Sequence, residues 1–322
     1  MHAINVHQTG GPKQLRYETV TVPEPRAGEV RVKLDAIGVN FVEIYQRKGL
    51  YQGSMPFIPG TEAAGVVDMV APGVTELKPG DRIVSTSFLG AYADYALVSA
   101  SQAVTLPDAF DLHVAAAVAL QGMTAHYLTH STFPLQPGQV ALVHAAAGGL
   151  GALVVQMAKE RGARVIGTVS TEEKAQIARE AGADDVILYT QQDFEAETKR
   201  LTAGAGVDVV YDSVGKTTFD GSLNCLKRRG YMVLCGQSSG PVPPFNPQVL
   251  NAKGSLYLTR PTLAHYTATR DELAQRMIDI FRWIANRRLV VRIDKTYRLS
   301  DAAEAHRYLE ARQTRGKVLL IP

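Results

Sequence analysis

The chain has few cysteines, no block of like charge and no long apolar run. Only Cys225 and Cys235 occur among 322 residues, which excludes a disulfide framework and a cysteine-rich metal site. Lys and Arg total 34 against 31 Asp and Glu, and the two signs are interspersed, so we expect no dedicated nucleic-acid surface. No stretch approaches the roughly 18 apolar residues of a membrane span, and residues 1–7 lack a signal-peptide pattern. We therefore expect a cytoplasmic protein with no membrane partner.

Apolar side chains are plentiful by contrast. Hydrophobic residues make up 46% of the chain and charged residues 20%, which suits a globular protein with sizeable cores. A length of 322 residues exceeds what one core organises well, so we expect two domains.

The first 120 or so residues have the pattern of short strands separated by Gly and Pro. Val30, Val32 and Leu34 alternate with Arg31 and Lys33, as expected of a half-buried strand. Turn sequences at residues 72–73 and 79–81 follow. The pattern predicts an antiparallel, barrel-like domain.

From about Ala116 the rhythm changes to apolar strand, glycine-containing turn, amphipathic helix and strand again. This is the sequence form of repeated βαβ units and predicts a doubly wound sheet. The predicted strands are residues 140–144, 164–168, 186–188, 207–211, 231–234 and 255–258.

The chain after Pro261 predicts two helices and a strand. The first helix places an apolar face together, namely Leu273, Met277, Ile280, Phe281 and Ile284. Ser300 is the expected cap of the second helix, Gly316 its expected end, and residues 318–321 a strand that returns to the first domain. We therefore assign residues 1–120 and 262–322 to a discontinuous catalytic domain, and residues 121–261 to an inserted nucleotide-binding domain.

Residues 140–159 read as strand, glycine turn and helix. Gly148 and Gly149 allow the backbone to approach a pyrophosphate, the helix N-terminus offers N–H donors, and Gly151 permits close helix–strand packing. Ala146 stands where the usual fingerprint has its first glycine. The alternative is a tight structural turn, but the strand and helix around it favour dinucleotide binding.

The choice between dinucleotides depends on the end of the next strand. NAD-selective chains place Asp or Glu there, whereas this chain has Ser170 with Lys174 nearby. A missing carboxylate removes repulsion of a 2′-phosphate, and a lysine attracts it, so the sequence predicts NADPH. The competing interpretation is that Lys174 is an ordinary solvated lysine.

Several segments together resemble the quinone oxidoreductase and ζ-crystallin branch of the medium-chain dehydrogenases/reductases. They are residues 38–45 (GVNFVEIY), 59–65 (PGTEAAG), 79–84 (PGDRIV), 145–151 (AAAGGLG) and 211–215 (YDSVG). The resemblance covers essentially the whole chain. It implies an α/β protein in which a GroES-like β-rich catalytic domain accompanies a doubly wound Rossmann domain.

The resemblance also bears on zinc. Zinc-dependent relatives have a cysteine at the position of Asn40 and a histidine at that of Thr61, before Glu62. Neither Asn nor Thr is a competent zinc ligand, and the four-cysteine structural zinc loop is missing from the sequence. We therefore expect no metal.

The resemblance assigns cofactor contacts around NADPH. Asn40 and Thr124 are expected at the nicotinamide, and Ser170, Lys174 and Tyr189 around the 2′-phosphate, although Tyr189 also suits core packing. The remaining contacts are expected at the pyrophosphate turn and at later strand ends: Ala147, Gly148, Gly149, Leu150, Gly151, Ser213 and Gly236.

Tyr45 and Tyr51 are the expected substrate-facing residues, with Asn40 beside them. A tyrosine ring stacks on a quinone and its hydroxyl donates to a carbonyl oxygen, although either tyrosine also suits core or interface filling. The expected reaction is NADPH-dependent reduction of a quinone or another conjugated carbonyl in an interdomain cleft, by electron or hydride transfer.

Two rival functions remain open at the level of sequence. One is a 2-alkenal, enone or enoyl-thioester reductase of the same superfamily, which shares the cofactor site and the missing zinc ligands. The other is a non-catalytic crystallin-like or RNA-binding protein, which the diluted charge disfavours.

Residues 255–258 form an apolar strand expected to pair with its copy, so we also expect a homodimer.

Overall fold

The computed structural model describes residues 1–51 and 53–322, which divide into two compact units. The first unit comprises Met1–Leu120, Thr269–Met277 and Val291–Pro322, and the second comprises Gln121–Ala268 and Ile278–Val290. In the described part of the chain, no helix combines the length and the apolar character that a membrane crossing needs.

The elements follow one another along the chain as a strand-rich part and then an alternating part. The strands are β1 (His2–Asn5), β2 (Arg16–Thr19), β3 (Glu29–Val39), β4 (Ala63–Val70), β5 (Arg82–Ser85), β6 (Tyr95–Ser99), β7 (Val104–Thr105), β8 (Val140–His144), β9 (Arg164–Val169), β10 (Asp185–Leu188), β11 (Val207–Asp212), β12 (Leu226–Leu234), β13 (Tyr257–Thr259), β14 (Ile293–Arg298) and β15 (Lys317–Ile321). The α-helices are α1 (Phe41–Arg47), α2 (Leu112–Tyr127), α3 (Gly149–Glu160), α4 (Glu172–Glu180), α5 (Phe194–Leu201), α6 (Phe219–Cys225), α7 (Gln248–Ala252), α8 (Arg270–Ala285) and α9 (Ala302–Glu310).

The first unit is built around the long strand β3. The sheet order is β14-β15-β3-β4-β5-β7, with β6 also pairing β3, and the pairs are antiparallel except for the parallel pair β14 and β15. Val30, Val32 and Leu34 face the core as predicted. Arg31 is also largely buried, because it forms ion pairs with Glu24 and Asp68.

The C-terminal strand returns to this first sheet, which confirms the prediction for the tail. Strand β15 lies between β14 and β3, and Val318 pairs with Val39. Val318 and Leu320 belong to the same apolar core as Ile4 and Val30. The end of the chain therefore completes the core that its beginning starts.

The second unit is the predicted doubly wound parallel sheet. The strand order is β10-β9-β8-β11-β12-β13, so the chain reverses direction across the sheet between β8 and β11. All of these neighbours pair in parallel. A reversal of this kind leaves a crevice at the carboxyl ends of the two central strands, where such folds bind nucleotides.

The structure corrects four predicted boundaries. Strand β12 begins at Leu226 instead of Tyr231, and β13 covers Tyr257–Thr259 instead of residues 255–258. Ser255 has a φ of 56° and is therefore outside a strand conformation. Ser300 does not cap α9, because Leu299–Asp301 form a 3-10 turn before that helix. The helix ends at Glu310, and Gly316 precedes β15 instead.

Candidate active site

The predicted cofactor residues of the second unit lie at the carboxyl edge of its parallel sheet. The glycine turn follows β8, Ser170 follows β9, and Tyr189 follows β10. Ser213 follows β11, and Gly236 lies two residues after β12. Five neighbouring strands therefore deliver these residues to one edge, because parallel strands end on the same side.

The glycine turn joins β8 to α3 through a left-handed residue. Ala145 has a φ of 53°, and its carbonyl oxygen accepts a hydrogen bond from the Gly148 N–H at 2.9 Å. Gly148 is the N-cap of α3 and has no side chain with which to cap it. The first N–H groups of α3 are therefore available to an anion.

Gly151 has a steric role that its position in the fingerprint predicts. A Cβ at Gly151 would lie 2.2 Å from the carbonyl oxygen of Ala145, so the close approach of α3 to the turn requires glycine there. The buried Ala146 departs from the fingerprint without disrupting the turn. A Cβ at Gly167 on β9 would meet the Ala146 Cβ at 2.8 Å, so a glycine on the neighbouring strand makes room for this methyl group.

Ser170 and Tyr189 lie at neighbouring strand ends because β9 and β10 pair. The Ser170 carbonyl accepts a hydrogen bond from Thr190 Oγ1 at 2.9 Å, and the Tyr189 N–H donates to the Val169 carbonyl at 3.1 Å. Lys174 lies in the first turn of α4, which Thr171 caps. Tyr189 is 41% exposed, so its interpretation as ordinary core packing is wrong.

Ser213 and Gly236 are in direct contact. A Cβ at Gly236 would lie 2.5 Å from the Ser213 carbonyl oxygen, so only glycine lets the two strand ends approach so closely. The other predicted residues of this unit vary in burial. Thr124 on α2 and Ala147 in the turn are buried, whereas Leu150 at the start of α3 is half-buried.

In the first unit, Asn40 belongs to a buried polar cluster. Its Nδ2 donates to Glu62 Oε2 at 2.8 Å, and its Oδ1 accepts from Lys317 Nζ at 2.7 Å. Lys317 Nζ also lies 2.5 Å from Glu62 Oε2, while the Leu120 N–H donates to Glu62 Oε1 at 2.6 Å. Buried charges persist when they are paired and hydrogen-bonded in this way.

Glu43 is a second buried carboxyl in this cluster. Asn40 is the N-cap of α1, and its backbone N–H donates to Glu43 Oε2 at 2.7 Å in a capping box. Within the described residues, Glu43 Oε1 is buried without a hydrogen-bond partner. Burial raises the pKa of Glu43 to about 8, against the opposing effect of Lys317.

Tyr45 and Tyr51 do come together, but their exposure differs. Their ring centroids are 5.6 Å apart with the planes nearly perpendicular. Tyr45 is buried on α1, whereas Tyr51 is 41% exposed. Tyr51 is therefore the more accessible ring of the pair, and the Tyr45 ring packs against it.

Sequence reasoning missed Lys317 and Glu43 as members of the Asn40 cluster. The spacing of Asn40 and Glu43 is that of a capping box and was a usable signal. No local sequence signal points to Lys317, since it lies at the far end of the chain and reaches Asn40 only through the pairing of β15 with β3.

Comparison with known proteins agrees with this geometry. Residues 26–108 match the family model described as an alcohol dehydrogenase GroES-like domain, and residues 149–282 match one described as a zinc-binding dehydrogenase. The chain is 46% identical to the quinone oxidoreductase of Salmonella typhimurium, with 99% of each chain covered. The chain belongs to the quinone oxidoreductase family.

Other members of this superfamily are similar to the chain over comparable lengths. The 2-haloacrylate reductase of a Burkholderia species is 43% identical, with 98% of each chain covered. The crystal structure of Escherichia coli quinone oxidoreductase complexed with NADPH superposes with a TM-score of 0.98 at 45% identity, covering 100% of both chains.

The residues of the Asn40 cluster do not suit a zinc ion, and the zinc-binding dehydrogenase description belongs to residues 149–282, outside that cluster. Among the residues that the structure places, no three His, Cys, Asp or Glu side chains gather as a metal-binding group. The Lys317 ammonium already lies on Asn40 Oδ1 and Glu62 Oε2, and a fixed positive charge repels a second cation. The absence of zinc remains a prediction, which this arrangement supports.

Proposed function

We propose that this member of the quinone oxidoreductase family is an NADPH:quinone oxidoreductase that works without a metal. The observation that carries the proposal is the uncapped glycine turn at the reversal of the sheet, with Ser170 after the next strand and Lys174 in the first turn of the helix that follows. The name of the Salmonella relative and the NADPH complex of the E. coli protein support it.

The residues of the second unit fit a dinucleotide phosphate. Gly148 leaves the N-terminal N–H groups of α3 without a side chain in front of them, as a pyrophosphate needs, while Gly149 and Gly151 let α3 pack closely against Gln121 and Ala145. Lys174 supplies a positive charge for the 2′-phosphate, and the exposed Tyr189 supplies a ring beside it. Ser213 and Gly236 border the cofactor from the later strand ends, and Thr124 from α2.

NADPH, when bound, supplies the reducing equivalents. We assign to the residues of the first unit the tasks of orienting the acceptor and donating a hydrogen bond to the oxygen that gains a proton on reduction. Lys317 and Glu62 hold the Asn40 side chain in one orientation, which suits the nicotinamide contact that we assign to it. Tyr51 presents an exposed ring to a quinone and a hydroxyl to its oxygen, with Tyr45 packed against it.

A steady-state acceptor comparison tests the proposal. NADPH oxidation is followed with 1,4-benzoquinone, 9,10-phenanthrenequinone, an enone and an enoyl-CoA, and repeated with NADH. We expect the highest kcat/KM for a quinone, with NADPH preferred over NADH. Negligible quinone turnover beside efficient enone reduction would reject the quinone assignment, and salt-dependent RNA binding without NADPH binding would reject an enzymatic role.

The second candidate is reduction of an activated alkene. The 2-haloacrylate reductase of Burkholderia, at 43% identity, is the observation that favours it. An alkene conjugated to a carboxylate requires stronger stabilisation of the developing negative charge than a quinone does. Adding 2-chloroacrylate to the acceptor series separates the two candidates.

We further propose a cytoplasmic homodimer. Strand β13 lies at the edge of the second sheet, and Tyr257 on it is 52% exposed while its ring stacks on Tyr231 at 4.4 Å. Pairing of β13 with its copy would cover this edge. Light scattering tests it: a dimer mass is expected, and a monomer mass at all concentrations would reject it.

A further inference from the structure

We propose that Asp212, held by a buried chain of side chains through Ser222, His144 and Thr168, positions the loop after β11 against the dinucleotide. The inference rests on the proposed NADPH site and assigns positioning residues to it. The loop in question is residues 213–215, which the resemblance connects with the cofactor only through Ser213.

Asp212 is a fully buried carboxylate that organises this loop. Its Oδ1 accepts the backbone N–H groups of Val214 at 2.8 Å and Gly215 at 2.9 Å. Its Oδ2 accepts the hydroxyls of Thr218 at 2.7 Å and Ser222 at 2.9 Å. Two hydrogen bonds thus fix the loop backbone, and two fix the carboxylate that holds it.

Beyond Ser222, the donors and acceptors of the hydrogen-bond chain can be assigned in only one way. Because Ser222 Oγ donates its only proton to Asp212, it must accept from His144 Nε2, which lies 3.0 Å away. His144 Nδ1 is then an acceptor and receives the Thr168 hydroxyl at 2.9 Å. Burial lowers the pKa of His144 against the opposing effect of Asp212, which is consistent with a neutral ring.

The hydrogen-bond chain lies at the carboxyl ends of three neighbouring strands, where the proposed cofactor site is. His144 is the last residue of β8, and Asp212 is the last residue of β11. These neighbouring strands are the two between which the sheet order reverses, and Thr168 pairs with His144 from β9. The chain therefore ties together the three strand ends around the crevice.

A Ser, His and Asp in contact also invite interpretation as a nucleophilic triad, and the geometry excludes it. In a triad the histidine lies between the acid and the nucleophile. Here Ser222 lies between His144 and Asp212, and all three side chains are at most 2% exposed. The role available to them is positioning.

Ser222→Ala tests the inference on the full-length chain with two probes. NADPH reaches the loop after β11, whereas adenosine 2′,5′-bisphosphate carries only the adenosine end, where Lys174 and Tyr189 lie. We expect the Kd for NADPH to rise about tenfold and that for the bisphosphate to change less than about twofold. Ser85→Ala is the matched control, because Ser85 is a buried serine of the first unit that also donates and accepts one hydrogen bond.

A second variant guards against misfolding of the first. Thr168→Val keeps the shape of the side chain and removes the first donor of the chain, and Thr198→Val is its control at a buried threonine of α5. We expect Thr168→Val to weaken NADPH about threefold and Thr198→Val to leave it unchanged. Unchanged NADPH affinity in both Ser222→Ala and Thr168→Val would overturn the positioning role, as would equal losses of affinity for NADPH and for the bisphosphate. A wild-type chain without NADPH affinity would reject the proposed function itself.

Discussion

Lys317 Nζ lies 2.5 Å from Glu62 Oε2, and neither side chain is more than 1% exposed. One residue comes from the last strand and the other from the segment before β4, so the pair forms only when β15 has joined the sheet. It holds Asn40 in place by hydrogen bonds from both sides. The orientation of Asn40 therefore depends on the C-terminal strand.

Removing the lysine leaves a buried carboxylate without its cation. We expect Lys317→Met to lower the free energy of unfolding by about 3 kcal/mol, measured by urea denaturation. Lys48→Met is the matched control, because Lys48 lies 2.5 Å from Glu310 but is 46% exposed. That exposed pair should contribute about 0.5 kcal/mol. Equal losses in the two variants would contradict the importance of the buried pair.

Gly38 makes room for the Glu62 carboxylate. A Cβ at Gly38 would lie 2.0 Å from Glu62 Oε2, so Gly38→Ala must displace the carboxylate from Lys317 and Asn40. We expect a lower melting temperature and a loss of kcat of about tenfold or more. Gly11→Ala, where a Cβ meets nothing within 4 Å, should match the wild type in both measurements. Wild-type activity in Gly38→Ala would show that the pair is not needed.

The raised pKa of Glu43 predicts how the stability of the fold depends on pH. The charged and titratable groups near it are Lys317 on β15, Glu62 before β4 and Tyr92, and burial raises its pKa from 4.5 to about 8. The folded state therefore binds more protons than the unfolded state between these values, and stability must fall as pH rises through this window. The slope for one proton is at most ~1.4 kcal/mol per pH unit.

Buried histidines act in the opposite direction at lower pH. Burial lowers the pKa of His306 from 6.5 to about 3, with the neighbouring Arg47 adding to the effect, so its contribution to stability is lost as pH falls below 6.5. Glu43 is therefore best tested between pH 6.5 and 8. Urea denaturation should show decreasing stability across this range in the wild type and a flat profile in Glu43→Gln. The same slope in both proteins would contradict the assignment.

Lys174 tests the choice of dinucleotide. We expect Lys174→Ala to raise the Kd for NADPH about tenfold and to leave that for NADH unchanged, since only NADPH has the 2′-phosphate. Lys199→Ala, which removes an exposed lysine of α5 in the same unit, is the control. An unchanged ratio of the two dissociation constants would show that Lys174 is an ordinary solvated lysine.

The sequence predicted the parallel sheet well because its signals are local. Residues 140–144 form a strand, as the apolar run predicts, and the glycine turn follows it directly. Strand β13 begins at Tyr257, two residues after the predicted start, since Leu256 is apolar but follows a left-handed Ser255 that the pattern does not reveal.

The polar interior was much harder to predict because its contacts connect distant parts of the chain. Lys317 reaches Asn40 across 277 positions, and Arg47 reaches His306 across 259. His144 received no role from the sequence, since a lone histidine at a strand end gives no sign of partners on β9 and α6. Such networks become visible only when the strand order is known.

NADPH binding to the purified full-length chain tests the central claim most directly. Calorimetric titration should show one site per chain and an affinity at least about tenfold higher for NADPH than for NADH, because the glycine turn binds the pyrophosphate and Lys174 the 2′-phosphate. Absence of NADPH binding, or equal affinity for the two dinucleotides, would contradict this account of the site.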